Sequence, residues 1–108
     1  MKTGIEIISE ERQRQITVEG WTDEHDDKHG AGELAFAAKA YAEHAGFQSA
    51  IEGSEYGKVK TNYIPDMWPW DPKWWKPTDD RIRNLAKAGA LIAAEIDRLQ
   101  RLKEKGDL

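Results

Sequence analysis

The sequence predicts an all-α fold: a compact domain of three helices, or four, with a long irregular loop rich in tryptophan and proline. Three observations predict it. Apolar residues recur at helical spacing in two segments, a third segment is rich in alanine, and capping residues stand at helix starts. The chain of 108 residues has the length of one domain, here 1–108.

The first predicted helix covers 4–19, and an alanine-rich helix follows it. Thr3 and Glu6 have the spacing of a capping box at the start of the first helix. Seven alanines in 31–45 give the second helix the highest helix propensity in the chain, and Gly46 is the expected stop. Its small side chains would let a neighbouring helix approach closely.

The last predicted helix covers 78–104, with Thr78 as the expected N-cap. Along it, mostly large apolar residues recur at alternating spacings of three and four, the pattern of a coiled-coil-like seam. The residues of this seam are Ile82, Leu85, Gly89, Ile92, Ile96 and Leu99. We therefore expect this face to pack against another helix.

Residues 46–77 form the predicted loop between the second and third helices. Three prolines in its last part, 67–77, exclude a long helix there, although a single turn can start at Pro72. Four of the five tryptophans also lie in this part, which we call the tryptophan loop. Adjacent Trp74 and Trp75 cannot both point inward, so one of the two rings is expected to be exposed.

Composition excludes several classes of function. The absence of cysteine excludes disulfide scaffolds, zinc–thiolate sites and thiol nucleophiles. A net charge of −4 argues against a general nucleic-acid coat protein, and no recognition-helix signature predicts sequence-specific DNA binding. No run approaches the roughly 20 apolar residues of a membrane span, and no signal-peptide pattern is present, so a cytoplasmic protein without membrane contact is expected.

The densest group of candidate metal ligands lies between residues 24 and 33. On a helix, His25, His29 and Glu33 would stack along one face and could ligate a transition metal. Alternatively, the carboxylates of this stretch would hold Mg²⁺ or Mn²⁺ through oxygen ligands. A third interpretation is an acidic turn that caps helix ends and pairs with Arg or Lys. The predicted metal ligands are Glu24, Asp26, Asp27, His29 and Glu33.

The tryptophan loop and the last helix supply the candidate ligand-binding residues. The rings could simply hold the loop against the helices, or they could present a face to a base or to a partner protein. Lysines beside the rings would suit a phosphate. On the last helix, polar side chains near the apolar seam would either pair internally or bind phosphate. The predicted ligand-binding residues are Trp70, Trp74, Arg83, Asn84 and Lys87.

Several segments resemble a family of short bacteriophage and prophage proteins. The resemblance leaves out 46–66, which has the character of a variable insertion. It implies a phage protein that acts in the cytoplasm of an infected bacterial host. The matching segments are ERQRQ (11–15), EGWTDEHDD (19–27), GELA (32–35), WPWD (68–71) and KAGALIAAEI (87–96).

An acidic helix followed by an alanine-rich helix and a long helix is also similar to the all-α nucleotide pyrophosphohydrolases of the MazG type. This resemblance implies magnesium held by carboxylates on two facing helices, and hydrolysis between the α- and β-phosphates of a nucleotide. Glu33 would stand for an acid of the first carboxylate pair. Asn84 and Lys87 occupy the spacing of the second pair, which implies a site that binds a nucleotide without cleaving it as the alternative.

Two functional hypotheses follow. In the first, a phage accessory protein of MazG-like type binds a nucleotide or another small phosphorylated ligand with a divalent cation; whether it also hydrolyses the ligand stays open. In the second, a non-enzymatic phage protein inhibits a host defence protein through an acidic face and exposed tryptophans. Two long helices around a core of modest size also permit a homodimer.

Overall fold

The structure is a computed structural model that describes residues 1–55, 57, 59 and 63–108. This part of the chain contains four α-helices and no β-strand, which confirms the all-α prediction in its four-helix form. None of the described helices is long and apolar enough to cross a membrane. The elements are α1 (Gly4–Thr17), α2 (Asp23–Asp27), α3 (Glu33–Ala50), a 3-10 turn (Pro72–Trp74) and α4 (Arg81–Glu104).

Hydroxyl side chains cap the first two helices. The Oγ1 atom of Thr3 accepts a hydrogen bond from the backbone N–H of Glu6, and the Glu6 carboxylate accepts one from the backbone N–H of Thr3. The predicted capping box is therefore confirmed. Thr22 Oγ1 accepts from the backbone N–H of His25 and starts α2 in the same way.

The end of α3 differs from the prediction, because the helix continues through Gly46 to Ala50. Its last turn is held by Gln48, whose amide nitrogen donates to the carbonyl oxygen of Thr78 at 2.9 Å. The Oε1 atom of Gln48 accepts from the side-chain amide of Asn84, also at 2.9 Å. These contacts outweigh the helix-breaking tendency of one glycine, which costs about 1 kcal/mol relative to alanine.

The start of α4 also differs from the prediction. The N-cap is Asp80, whose Oδ1 accepts from the backbone N–H of Ile82 at 2.9 Å. Thr78 is engaged elsewhere, since its hydroxyl lies 3.2 Å from Oδ1 of Asn84 and accepts from the backbone N–H of Asp80. The connection between α3 and α4 consequently runs from 51 to 80 rather than from 46 to 77.

The core lies mainly between α3 and α4, which make the most extensive helix–helix contact and run antiparallel. α1 packs against α4 beside it. Most of the buried hydrophobic side chains are alanine, whose small size lets the helix axes approach closely. The buried hydrophobic cluster consists of Leu34, Ala37, Ala38, Ala40, Tyr41, Trp75, Ala88, Leu91 and Ala94.

The large apolar residues of α4 lie outside this core. The predicted packing of the seam against another helix of the chain is therefore wrong for most of its length. α4 instead buries a face that consists mainly of alanine and includes Leu91, because the alanine-rich surface of α3 leaves little space for larger side chains. The exposed fractions are 61% for Ile82, 51% for Leu85, 49% for Ile92 and 51% for Ile96.

Gly89 is the member of the seam that does contact another helix. A Cβ atom at this position would lie 2.6 Å from Cδ1 of Ile8 on α1. Such a distance is too short for two carbon atoms, so the side chain of Ile8 occupies the space that glycine leaves. α1 therefore crosses α4 where α4 has no side chain.

Asn84 is fully buried and ties α3, α4 and the chain before α4 together. Its amide donates to Gln48 and to the carbonyl oxygen of Thr78, and its Oδ1 accepts from the backbone N–H of Thr78. Asn84→Ala should lower the free energy of unfolding by about 3 kcal/mol, because it leaves buried groups unpaired. Urea unfolding measures this loss. The exposed Gln100→Ala serves as the control on the same helix, and equal stability of both variants would contradict the structural role of Asn84.

His44 is 1% exposed, and its Nδ1 lies 2.9 Å from the hydroxyl of Tyr63. Burial lowers the pKa of His44 below its ordinary value of 6.5, because the imidazolium form would lose its hydration. As the pH falls from 6.5 through the lowered pKa, the unfolded chain binds more protons than the folded one. The free energy of unfolding therefore decreases, by at most about 1.4 kcal/mol per pH unit from this group.

His44→Gln should accordingly flatten the dependence of stability on pH between 7 and 5. Glutamine keeps a hydrogen-bonding group for Tyr63 and does not titrate. Urea unfolding of both proteins at a series of pH values gives the two slopes. Parallel profiles would show that His44 does not contribute to the acid sensitivity.

Candidate functional site

A pocket of about 420 Å³ opens between α1, α2, α4 and the tryptophan loop, with one residue of α3 in its wall. This volume lies in the range of about 300–1,000 Å³ that is typical of small-molecule sites. Aromatic rings form one wall, and charged and polar side chains of α1 and α4 form the other. The lining residues are Glu11, Arg14, Gln15, Glu19, Trp21, His25, His29, Tyr41, Trp68, Trp70, Asp71, Trp74, Lys76, Lys87 and Leu91.

The aromatic wall is a continuous series of ring contacts. The Trp21 ring stacks on His25, with centroids 5.3 Å apart and planes 9° apart. His25 contacts His29 edge to face, and His29 contacts Trp70 in the same way at 5.2 Å. Trp70 in turn meets Trp68 at 5.5 Å. α2 and the tryptophan loop thus hold each other in place and present ring surface to the pocket.

Trp75 anchors the tryptophan loop to α3. Its ring is 7% exposed and lies 4.9 Å from the ring of Tyr41, centroid to centroid. The Tyr41 hydroxyl also accepts a hydrogen bond from the backbone N–H of Lys76. Trp74 points outward instead and is 56% exposed, with Lys73 and Lys76 each within 5.4 Å of its ring. The prediction that one of the two adjacent rings is exposed is confirmed.

On the polar wall, Arg14 is held between two carboxylates. Its Nε and NH2 atoms donate to Glu11 at 3.0 and 2.7 Å, and its NH1 donates to Glu19 at 2.9 Å. Hydrogen bonding to Glu11 is the main cause of the raised pKa of Arg14. Glu11 is 6% exposed and has a second cation, Arg83, at 3.6 Å. These opposite charges largely neutralise one another.

Two lysines of the pocket, Lys76 and Lys87, take no part in the ion pairs of the described residues, and Lys87 is the more buried of the two. Its Nζ donates to the carbonyl oxygen of Lys76 at 3.0 Å and lies 5.4 Å from the centroid of the Tyr41 ring. Burial, followed by repulsion from Arg83, lowers the pKa of Lys87. The ammonium group is therefore partly desolvated, and no carboxylate is bound to it in the described part of the chain.

Two further polar atoms in the pocket wall find no hydrogen-bond partner among the described residues. They are Oε1 of Gln15, an acceptor on a side chain that is 2% exposed, and Nε1 of Trp70, a donor. Unpaired buried polar groups are rare in folded proteins, because each one costs about 1–3 kcal/mol. Both atoms are themselves buried, so a ligand with a donor and an acceptor on its edge would reach them only after a side chain of the wall moves.

The structure separates the predicted metal ligands into different ion pairs. Asp26 is fully buried, and its two oxygens contact Arg12 and His25, each at 2.9 Å. Asp27 accepts from Arg101 at 2.8 Å, and this hydrogen bond lowers the pKa of Asp27. Asp26 and Asp27 thus agree with the interpretation as an acidic turn that pairs with arginines.

The remaining predicted metal ligands lie apart from these two. Glu33 accepts from the backbone N–H of Ala31 and contacts His29 at 3.1 Å. Burial raises the pKa of Glu33, but the hydrogen bonds from His29 and Ala31 outweigh this and hold it below the usual value. Glu24 is exposed on α2. Within the described ranges, no three His, Asp or Glu side chains converge as a metal centre would require.

Four of the predicted functional residues line the pocket: His29, Trp70, Trp74 and Lys87. Arg83 lies outside it, beside Glu11. Asn84 also lies outside, and its polar atoms are used in the contacts to α3 and Thr78. The structure brings these tryptophans and Lys87 to one pocket, although they are distant in the sequence.

The polar residues of α1 were missed as functional candidates. Gln15 and Glu11 are the buried residues of this helix, so the inward face of α1 is polar. The signal in the sequence is that polar residues interrupt the weak apolar stripe of the first helix. A buried helix face that carries charge needs partners, either within the protein or in a ligand.

Comparison of the chain with protein-family models, with curated proteins and with solved structures found no match. The resemblances to phage proteins and to MazG-type enzymes therefore stay predictions. The chemistry of the pocket is the basis on which a function is argued below.

The lowered pKa of Lys87 has a consequence for stability. Keeping the buried ammonium charged costs free energy below the lowered pKa, and this cost disappears as the pH rises from that pKa to the ordinary value of 10.5. Lys87→Met at pH 7 should therefore keep or raise the free energy of unfolding, although one hydrogen bond is lost. Urea unfolding tests this, with the exposed Lys39→Met as the control. A decrease of more than about 1.5 kcal/mol would identify Lys87 as a structural residue instead.

Proposed function

We propose that this protein binds a nucleotide, or another small ligand that joins a flat ring to a phosphate, in the pocket beside the tryptophan loop. The observation that carries the proposal is Lys87, a partly desolvated cation without a carboxylate partner among the described residues, next to an aromatic wall. An anion would restore the electrostatic interactions that the ammonium group loses on burial. The phosphate of the ligand would therefore bind at the ammonium group of Lys87.

The aromatic wall suits the base. Stacking of a base on a tryptophan contributes about 1–3 kcal/mol and does not require a particular base. Trp70 offers its ring and its unpaired Nε1 donor, and Gln15 offers an unpaired acceptor. A base or a similar heterocycle carries both donors and acceptors on its edge, so it could complete these hydrogen bonds once the side chains around the two buried atoms move apart. This complementarity favours a nitrogen heterocycle over a purely apolar ligand.

Binding, rather than hydrolysis, is the activity that the pocket residues support. Nucleotide hydrolysis generally needs a group that activates water, commonly through a divalent cation. Of the three pocket carboxylates, Glu11 and Glu19 are both engaged with Arg14, and Asp71 accepts from the backbone N–H of Lys73. Mg²⁺ or Mn²⁺ would enter with the phosphates and use one or two carboxylates. Glu19, whose side chain is 42% exposed, is better placed than the buried Glu11 to ligate such an ion.

Isothermal titration tests the proposal with ATP, AMP and inorganic pyrophosphate as probes, each with and without MgCl₂. We expect AMP or ATP to bind and pyrophosphate alone to bind more weakly, because it lacks the stacking ring. Lys87→Met should weaken binding at least about tenfold, since hydrogen bonds to charged groups contribute about 1.5–3 kcal/mol. Lys39→Met, which removes a lysine outside the pocket, should leave the affinity unchanged.

Two comparisons separate the versions of the proposal. A magnesium requirement that is lost in Glu33→Gln but kept in Glu19→Gln would favour the metal site predicted between residues 24 and 33. Release of pyrophosphate from ATP would make the protein an enzyme. Absence of binding for every probe, or unchanged affinity in Lys87→Met, would contradict nucleotide binding in this pocket.

One observation favours the second candidate function, a non-enzymatic interaction with another protein. Trp74 is 56% exposed at the rim of the pocket and is flanked by Lys73 and Lys76. Exposed tryptophans beside cations are common centres of protein interfaces. An acidic partner surface, such as that of an inhibited host protein, would fit this rim.

A further inference from the structure

The exposed apolar face of α4 is the largest feature of the structure that the pocket does not explain. We call it the α4 stripe: Ile82, Leu85, Gly89, Ile92, Ile96 and Leu99. Four of these residues are about half exposed, and no charged residue interrupts the stripe. Large contiguous apolar surfaces on a folded protein usually mark an interface. We propose that two copies of this chain associate through the α4 stripe, with their α4 helices antiparallel about a twofold axis.

The spacing of the stripe fits a second copy of the same chain. Its steps are three, four, three, four and three residues, so the order is the same in both directions. When two α4 helices lie antiparallel with their midpoints together, Ile82 faces Leu99 of the second copy. In the same register Leu85 faces Ile96 of the second copy, and Ile92 of the second copy faces the position of Gly89, where the side chain of Ile8 forms the surface. A twofold interface requires this kind of self-complementarity.

Charge at the two ends of α4 favours the antiparallel orientation. Asp79 and Asp80 lie exposed at its start, where Arg81 and Arg83 are paired with Glu52 and Glu11 of the same chain. Lys103 and Lys105 lie exposed at its end on either side of Glu104, which leaves this end with a net positive charge. Antiparallel pairing brings each acidic pair near the basic pair of the second copy, whereas parallel pairing would bring like charges together.

The total surface of the chain is also large for its mass. Its accessible area is 7124 Å², whereas a folded monomer of 12.3 kDa exposes about 6,100 Å². The excess of about 1,000 Å² is comparable to the roughly 800 Å² that each partner buries in an interface of standard size. The dimer would leave the pocket open, because Lys87 and Leu91 line the pocket from the other side of α4. The association is therefore independent of the proposed ligand.

Disulfide cross-linking tests the proposal, because the chain has no cysteine of its own. In the double variant Leu85→Cys with Ile96→Cys, the two thiols of one chain are about 16 Å apart along the helix. A disulfide needs Cα atoms within about 7 Å, so these thiols cannot bond to each other within one chain. Mild oxidation should give a covalent dimer on a non-reducing gel. Each single variant should run as one chain on the same gel, because its thiol faces a position of the second copy that carries no cysteine.

Sedimentation of the unmodified protein provides the second measurement. We expect the mass of two chains, and Ile92→Glu should shift it to the mass of one chain. Phe47→Glu is the matched control, since Phe47 is 46% exposed on α3 and outside the stripe, and it should leave the mass unchanged. Urea unfolding confirms that both variants are folded.

Three outcomes would overturn the proposal. The unmodified protein could sediment as one chain at all concentrations. The single-cysteine variants could cross-link as readily as the double variant, which would indicate a parallel pairing. Finally, Phe47→Glu could dissociate the dimer while Ile92→Glu does not, which would place the interface on another face.

Discussion

Close packing of alanine against alanine is the constraint on which the rest of this structure depends. Alanine side chains let α3 and α4 approach closely, but they contribute little volume and bury little apolar area. The tryptophan loop supplies the missing volume, since Trp75 packs on Tyr41 and closes the core. The same close contact leaves no room for the isoleucines of α4, although it accommodates Leu91. The aromatic loop and the exposed α4 stripe therefore have one physical origin.

Local signals in the sequence predicted much of the fold. The capping box of Thr3 and Glu6 depends on residues three positions apart, and its prediction holds because no distant contact competes. The error at α4 has a different cause. Hydrophobic periodicity identifies the face with the largest apolar residues, but burial is decided by the shape of the facing helix, and here a small-residue face fits it better. The α3 end was missed because Gln48 finds its partner Asn84 36 residues further along the chain.

The candidate site was predictable in part. Lys87 and the tryptophans stood out by residue type, and the structure brings them to one pocket. The acidic stretch from 24 to 33 was harder to interpret, because carboxylates that bind a metal and carboxylates that bind arginine have the same local pattern. The arginines that pair with Asp26 and Asp27 lie 14 and 74 positions away. Only the fold shows that these partners are close, so the sequence left both interpretations open.

The arrangement of the indole rings affects how this protein must be studied in solution. Trp68 lies 5.1 Å from Trp75 and 5.5 Å from Trp70, measured between ring centroids, and the planes are steeply inclined. Transition dipoles that are close and inclined couple strongly, and such coupling produces exciton bands in the circular dichroism of the far ultraviolet. These bands overlap the helical signal. The amplitude of the far-ultraviolet spectrum will therefore misstate the helix content. The loss of the exciton bands on heating will report the disassembly of the indole cluster.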